Sequence, residues 1–133
     1  MFASTHNPIN AYAQVGVESA VNSADPHRLI LLLFQGAESG ISLAIEAIRQ
    51  NNLGTKSQAI SRSIDIITNG LLASLDREAG GDLAAKLAAL YEYMSMRLLH
   101  ANLKNDLAAL DEVSLLLAEI RSAWEEIAPG TQP

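Results

Sequence analysis

Residues 23–48, SADPHRLILLLFQGAESGISLAIEAI, carry more apolar surface than a single packing partner can cover, and this limits the folds open to the chain. The stretch opens as a helix. Asp25 is a favourable N-cap, and Pro26 takes the first helical position, where a missing N–H costs nothing and φ already suits the helix. Ile30, Leu33, Phe34, Ala37, Ile41, Ala44, Ile45 and Ile48 then recur every three or four residues and form a core stripe. Leu29, Leu31, Leu32 and Leu43 fall off that stripe, so they need a second covering. Gly36, Gly40 and Ala47 run along another side, and each interior glycine costs about 1 kcal/mol relative to alanine. Such a ridge calls for a close backbone approach, either by a helix of the same domain or by a partner peptide lying in a groove.

The rest of the chain supplies the coverings. Residues 1–9 have no period and read as an arm; residues 10–21 hold a weak helical pattern of Ala11, Tyr12, Val15, Val17 and Val21, interrupted by Gly16. Asn51, Asn52 and Gly54 stop the long helix, and Thr55 is the expected cap of the next, whose stripe is Ile60, Ile64, Ile67, Leu71 and Leu75 with Ile66 and Leu72 beside it. Gly80 and Gly81 end it, and Asp82 caps a segment in which Leu83, Leu87, Leu90, Tyr91, Met94, Leu98 and Ala101 share a face. Residues 102–105 are polar enough for a turn or kink. From Asp106 onward Leu107, Leu110, Val113, Leu117, Ile120, Trp124 and Ile127 step by three and four until Pro129 and Gly130. Four amphipathic segments with short connections predict an all-α fold, an antiparallel four-helix bundle over residues 23–128, with a short extra N-terminal helix or arm over 1–22 and a tail over 129–133.

Charge and composition narrow the function. A net charge of -6, with nine scattered Lys and Arg, argues against gripping phosphate backbones, so no nucleic-acid partner is expected. Disulfides and thiolate metal sites are excluded because there is no Cys. The first ten residues lack the basic and apolar regions of a signal peptide, and no uninterrupted apolar stretch approaches membrane-spanning length, which together predict a soluble, cytoplasmic protein without membrane insertion. Asp106, Asp111, Glu112, Glu119, Glu125 and Glu126 crowd the last segment around Arg121 and form either a solvated face or a docking surface for a basic partner.

No catalytic constellation emerges. No Glu is followed by a His three residues later, and His6, His27 and His100 lie in separate segments, so neither a metal nor another cofactor is expected. Ser39 lies between Gly36 and Gly40 but inside a helix and out of register for a nucleophile elbow. Gly80 and Gly81 lack the Lys and Ser/Thr that complete a phosphate loop. His100, with Arg97 and Lys104 about a turn to either side, admits a phosphotransfer-like signalling domain as the alternative; the plainer role is a helix-end His beside terminal carbonyls. Tyr91 and Tyr93 face different sides of one helix, so only one can join the core, and Tyr12 needs a surface on which to dock.

The order and spacing of several short pieces add a resemblance. Ala11 and Tyr12 come first, then Ala24, Asp25, Pro26, His27, Arg28, Leu29 and Ile30 running into Leu33, Phe34, Gln35, Gly36 and Ala37. Leu75 and Asp76 precede Gly80 and Gly81; Leu90, Tyr91, Glu92, Tyr93 and Met94 follow, then Arg97, Leu98, Ala101, Asn102, Asp106, Glu112, Val113 and Trp124. From about residue 11 to residue 127 the chain resembles the FliS family of flagellar secretion chaperones, departing from it at Phe34, where Tyr is common, and Gln35, where an acid is common. The resemblance implies a cytoplasmic helical chaperone that needs no nucleotide, holds the disordered C-terminal segment of flagellin, prevents premature polymerisation and assists delivery to the flagellar export gate. It also implies an N-terminal segment able to cover the binding surface, giving Tyr12 a role as cap and partner contact. Because a client that folds on binding must cover on the order of 1,000 to 3,000 Å², Leu29, Leu32, Leu33, Gly36, Gly40, Ile66, Leu72 and Tyr93 are the remaining candidate contacts. A homo-oligomer burying the same surplus surface is a further possibility.

Overall fold

The computed structural model describes residues 25–127. Helix α1 spans Pro26–Arg49, α2 spans Leu53–Asp65 and runs directly into a π-helical segment, Ile66–Leu72, α3 spans Arg77–Lys104 and α4 spans Leu107–Glu126. Helix α1 packs on α2, the π-helical segment and α4, while α3 packs on α4, α2 and the π-helical segment, closing a ring of four. Every neighbouring pair is antiparallel. Gly36 meets Ile66 and Gly40 meets Ala59, the start of α1 at His27 meets the end of α4 at Trp124, Arg97 pairs with Glu112, and Lys56 reaches Asn102. The all-α bundle expected from the four stripes is what the chain forms.

Phe34, Ile41, Ile60, Ile67, Met94, Leu98, Leu110, Val113 and Leu117 are fully enclosed at the centre, with at least two from each wall of the bundle. Truncating one of the large ones, such as Phe34→Ala, costs about 3 to 5 kcal/mol because the surrounding helices close the cavity only in part. Tyr91 joins this core and Tyr93 does not, as their spacing requires. By length and composition α1 could cross a membrane, although its longest uninterrupted apolar run is the six residues 29–34. It is instead the central helix, because three neighbouring elements bury its stripe together with the off-stripe Leu31.

Four details differ from the sequence expectations. Asn52, not Thr55, caps α2: Asn51 turns left-handed (φ 58), which leaves Asn52 to accept from the Thr55 N–H at 3.2 Å. Asp76, not Asp82, caps α3, accepting from the Ala79 N–H at 3.0 Å. Gly80 and Gly81 therefore lie inside α3, which kinks at Gly81 (φ 53, ψ -130), a conformation that favours glycine. Residues 102–104 continue the helix, and the turn is confined to Asn105, left-handed at φ 52, before Asp106 caps α4. The fourth difference is the π-helical segment. Ile66, Ile67, Gly70 and Leu71 are buried on it, as adjacent pairs such as Leu33 with Phe34 and Ala59 with Ile60 are on the regular helices. The expected short helix over 10–21, Tyr12 and the tail beyond 127 lie outside the described residues.

Candidate functional site

The antiparallel ring gives the bundle two ends of different character. At one end the loop after α1 and the turn after α3 come together. Lys56, 5% exposed, donates from Nζ to the Asn102 carbonyl at 2.8 Å and to Asn105 Oδ1 at 2.7 Å, and the Ser57 hydroxyl bonds Asn102 Oδ1 at 3.2 Å. A cation is well placed there, since the final turn of α3 presents carbonyls with no helical partner and carries the negative end of the helix dipole. His100 Nε2 lies 3.1 Å from Asp106 Oδ2, and the Ala109 N–H together with this imidazole holds the Asp106 carboxyl below its usual range. His100 thus sits against a side-chain carboxylate, not against terminal carbonyls, and Arg97 is turned to Glu112 at 2.7 Å.

At the opposite end the helices enclose an apolar cleft of about 560 Å³. Pro26, His27, Ile30 and Phe34 come from α1, Leu71, Ser74 and Leu75 from the end of the π-helical segment and the loop after it, Ala79, Gly80, Leu83, Leu87 and Tyr91 from α3, and Ile120 and Trp124 from α4. The backbone irregularities build this wall. The π-helical segment carries Leu71 in this wall, and the kink at Gly81 sets the first turn of α3 at an angle to the remainder, with Leu83 67% exposed at the rim. The few polar groups are occupied: the Ser74 hydroxyl returns to the Gly70 carbonyl, and the Asp76 carboxylate caps α3. Burial pushes the Tyr91 phenol up to about 12, so this phenol stays neutral through the physiological range.

The mouth of the cleft is bridged between α1 and α4. Trp124 Nε1 donates to the His27 carbonyl at 2.9 Å, and His27 Nε2 lies 2.6 Å from the Trp124 carbonyl, which fixes that nitrogen as the donor because a carbonyl only accepts. The two rings stack with centroids 4.7 Å apart and planes 9° from parallel. Among the described residues no buried side-chain nitrogen or oxygen is left without a partner, so the cleft offers apolar surface and little hydrogen bonding.

Within the described residues the predicted contacts divide into three groups. Leu29 and Leu32 are half-buried on α1, Gly36 is half-buried with Ile66 Cδ1 3.3 Å from where a Cβ would stand, and Leu72 is half-buried beside the core. Leu33, Gly40 and Ile66 are buried: a Cβ on Gly40 would collide with the Ser63 hydroxyl and stand 3.1 Å from the Ala59 carbonyl. At Gly40 the small residue serves helix packing. Tyr93, 41% exposed, lies on the α3/α4 side and donates to Glu112, which raises the phenol and, with Arg97, lowers the carboxyl. His27, Ile30, Leu83, Leu87, Ile120 and Trp124 were not among the predicted contacts. The available signal was Leu71 and Leu75 on one side of the glycine pair with Leu83 and Leu87 on the other, four leucines flanking a polar bend.

Comparison with known proteins places this geometry in context. The family model described as flagellar protein FliS matches residues 8–131. The chain is 51% identical over 125 residues to the flagellar secretion chaperone FliS of Salmonella typhimurium, covering 94% of this chain and 93% of the relative. It is 47% identical over 116 residues to the protein of that name from Escherichia coli, covering 87% and 85%. It is 46% identical over 117 residues to the flagellar secretion chaperone FliSB of Pseudomonas aeruginosa, covering 88% and 92%.

Proposed function

The chain belongs to the FliS family, and from that premise we propose that it is a cytoplasmic export chaperone holding the C-terminal segment of flagellin, preventing its premature polymerisation and assisting its delivery to the flagellar export gate. The observation that carries the reading is the apolar cleft at one end of the bundle, lined by α1, the π-helical segment, α3 and α4 and poor in free polar groups. A surface of that kind suits the apolar face of a helix that forms only on binding, whose side chains at intervals of three and four enter as anchors.

The cleft is one anchor of a longer track. Leu29, Leu32, Gly36 and Leu72 extend it along the α1 side, Leu33, Gly40 and Ile66 support that side from beneath, and Tyr93 marks the α3/α4 side. Tyr12 contributes from the N-terminal segment as cap and contact. The chaperone works by binding alone, with no bond made or broken, no nucleotide and no metal. The relatives named above carry names of chaperones, which favours this over a phosphotransfer role for His100.

Calorimetry with intact flagellin and with flagellin lacking its C-terminal segment tests the proposal. The expected outcome is one-to-one binding with a large negative heat-capacity change, abolished by the truncation. Absence of binding to intact flagellin would refute it.

A further inference from the structure

Two pieces of sequence 97 residues apart meet at the cleft, and client contact alone does not explain why. His27 sits in the first turn of α1 and Trp124 in the last turn of α4. Each ring nitrogen donates to the other residue's carbonyl while the rings lie face to face. One hydrogen bond would fix a distance; two reciprocal bonds and a stack fix distance, tilt and sliding together. Helix ends fray unless tied, and these two ends form the wall between which Ile30 and Ile120 face the cleft.

We propose that the His27–Trp124 pair is a positioning lock for the client site: it holds the start of α1 and the end of α4 at the separation that keeps the cleft open before a client arrives. The inference rests on the client reading above. Its physical basis is preorganisation, since a cleft that must first be assembled charges its ordering cost to every binding event. The two N–H donors, His27 Nε2 and Trp124 Nε1, are used within the pair, so the two residues act on the client through the shape of the wall rather than by donating to it. A purely structural pair would stabilise the bundle without affecting how fast the cleft accepts a ligand.

The test compares the full-length wild type with His27→Ala, His27→Gln and Trp124→Phe at a temperature where urea titrations show every variant folded. Association with the flagellin C-terminal segment is followed by stopped flow, and binding of the apolar dye anilinonaphthalene sulfonate is measured on the free protein. The lock predicts that His27→Ala weakens client affinity about tenfold, on the scale of one modest hydrogen bond, chiefly through slower association. His27→Gln recovers most of the loss because its amide N–H can reach the same carbonyl, and Trp124→Phe, which keeps a ring but loses a donor, falls between. Dye binding follows the same order. Variants that melt earlier yet associate with the client at the wild-type rate overturn the lock and leave the client reading standing. If the wild type binds no flagellin segment, the client reading fails and the dye series alone decides: the same order supports the lock, and no change overturns it. Where the client does bind, its association rate decides over the dye.

Discussion

The two ends of the bundle are made from the same four helices, yet one is sealed by polar groups and the other is left open and apolar. At the sealed end every turn is tight, and Lys56, Ser57, Asn102 and Asn105 cross-tie α2 to the end of α3. At the open end the helices depart from regularity, through the π turn over Ile66–Leu72 and the kink at Gly81, and the polar groups are turned back on their own backbone. Regular α-helices with complementary stripes fill the space between them. A cleft requires that one or more walls leave the regular path, and in this chain both departures lie on the segments that line it. On the proposed reading of the cleft, stability and reception of a client fall to opposite ends.

That separation can be broken in graded steps. The largest effect is expected from Lys56→Ala, which removes two charge-assisted hydrogen bonds and leaves the half-buried Asn102 carbonyl without its donor. It should cost about 3 kcal/mol in urea melts while leaving affinity for the flagellin segment at the wild-type value. Gly81→Ala acts on the other end. Nothing stands within 4 Å of the new Cβ, so its cost is backbone strain alone, about 1 to 3 kcal/mol. Because the kink shapes the cleft, this variant should also weaken client binding, and an unchanged affinity would show that the kink has no part in it.

Leu83→Glu isolates reception from stability. The side chain is largely exposed at the rim, so melting should change by no more than about 0.5 kcal/mol, whereas a charge in an apolar entrance should lower client affinity about tenfold, or 1.4 kcal/mol. The smallest effect belongs to the α3/α4 side. The Tyr93 hydroxyl and Arg97 lower the Glu112 carboxyl, so its stabilisation is complete above the ordinary glutamate range and is lost as pH falls through the lower folded value. Glu112→Gln should therefore melt slightly earlier than wild type at neutral pH, and the two melting curves should converge in acid.

Much of the fold was legible because its signals are local. Asp25 before Pro26 and Asp106 before the last stripe both act as the caps their positions suggest, and the stripes through Phe34, Ile60, Met94 and Leu110 are the core. The signals failed where two local solutions compete. Asn52 and Thr55 can each cap α2, and the choice was made by Asn51 adopting the left-handed conformation one residue earlier. Ile66 and Ile67 satisfy a stripe in either register, so the π turn on which both are buried leaves no mark in the periodicity. The cleft was less legible still. Trp124 read as one more stripe residue and His27 as one of three histidines in separate segments, and only the closing of the ring joins them. Leu33, Gly40 and Ile66, expected as contacts, lie beneath the surface because helix spacing alone does not say which neighbour will cover a face.

The pairing of His27 with Trp124 also bears on the order in which the molecule assembles. The hairpins α1/α2 and α3/α4 close over short loops and can form from contacts near in sequence, whereas this pair joins residues 97 apart and must await the docking of one hairpin on the other. His27→Ala should accordingly speed unfolding and leave the folding rate nearly unchanged, a φ-value close to zero. As the single tryptophan of the chain, Trp124 then gives an optical signal for the last step of folding, and a fluorescence phase slower than the recovery of helical ellipticity would record it directly.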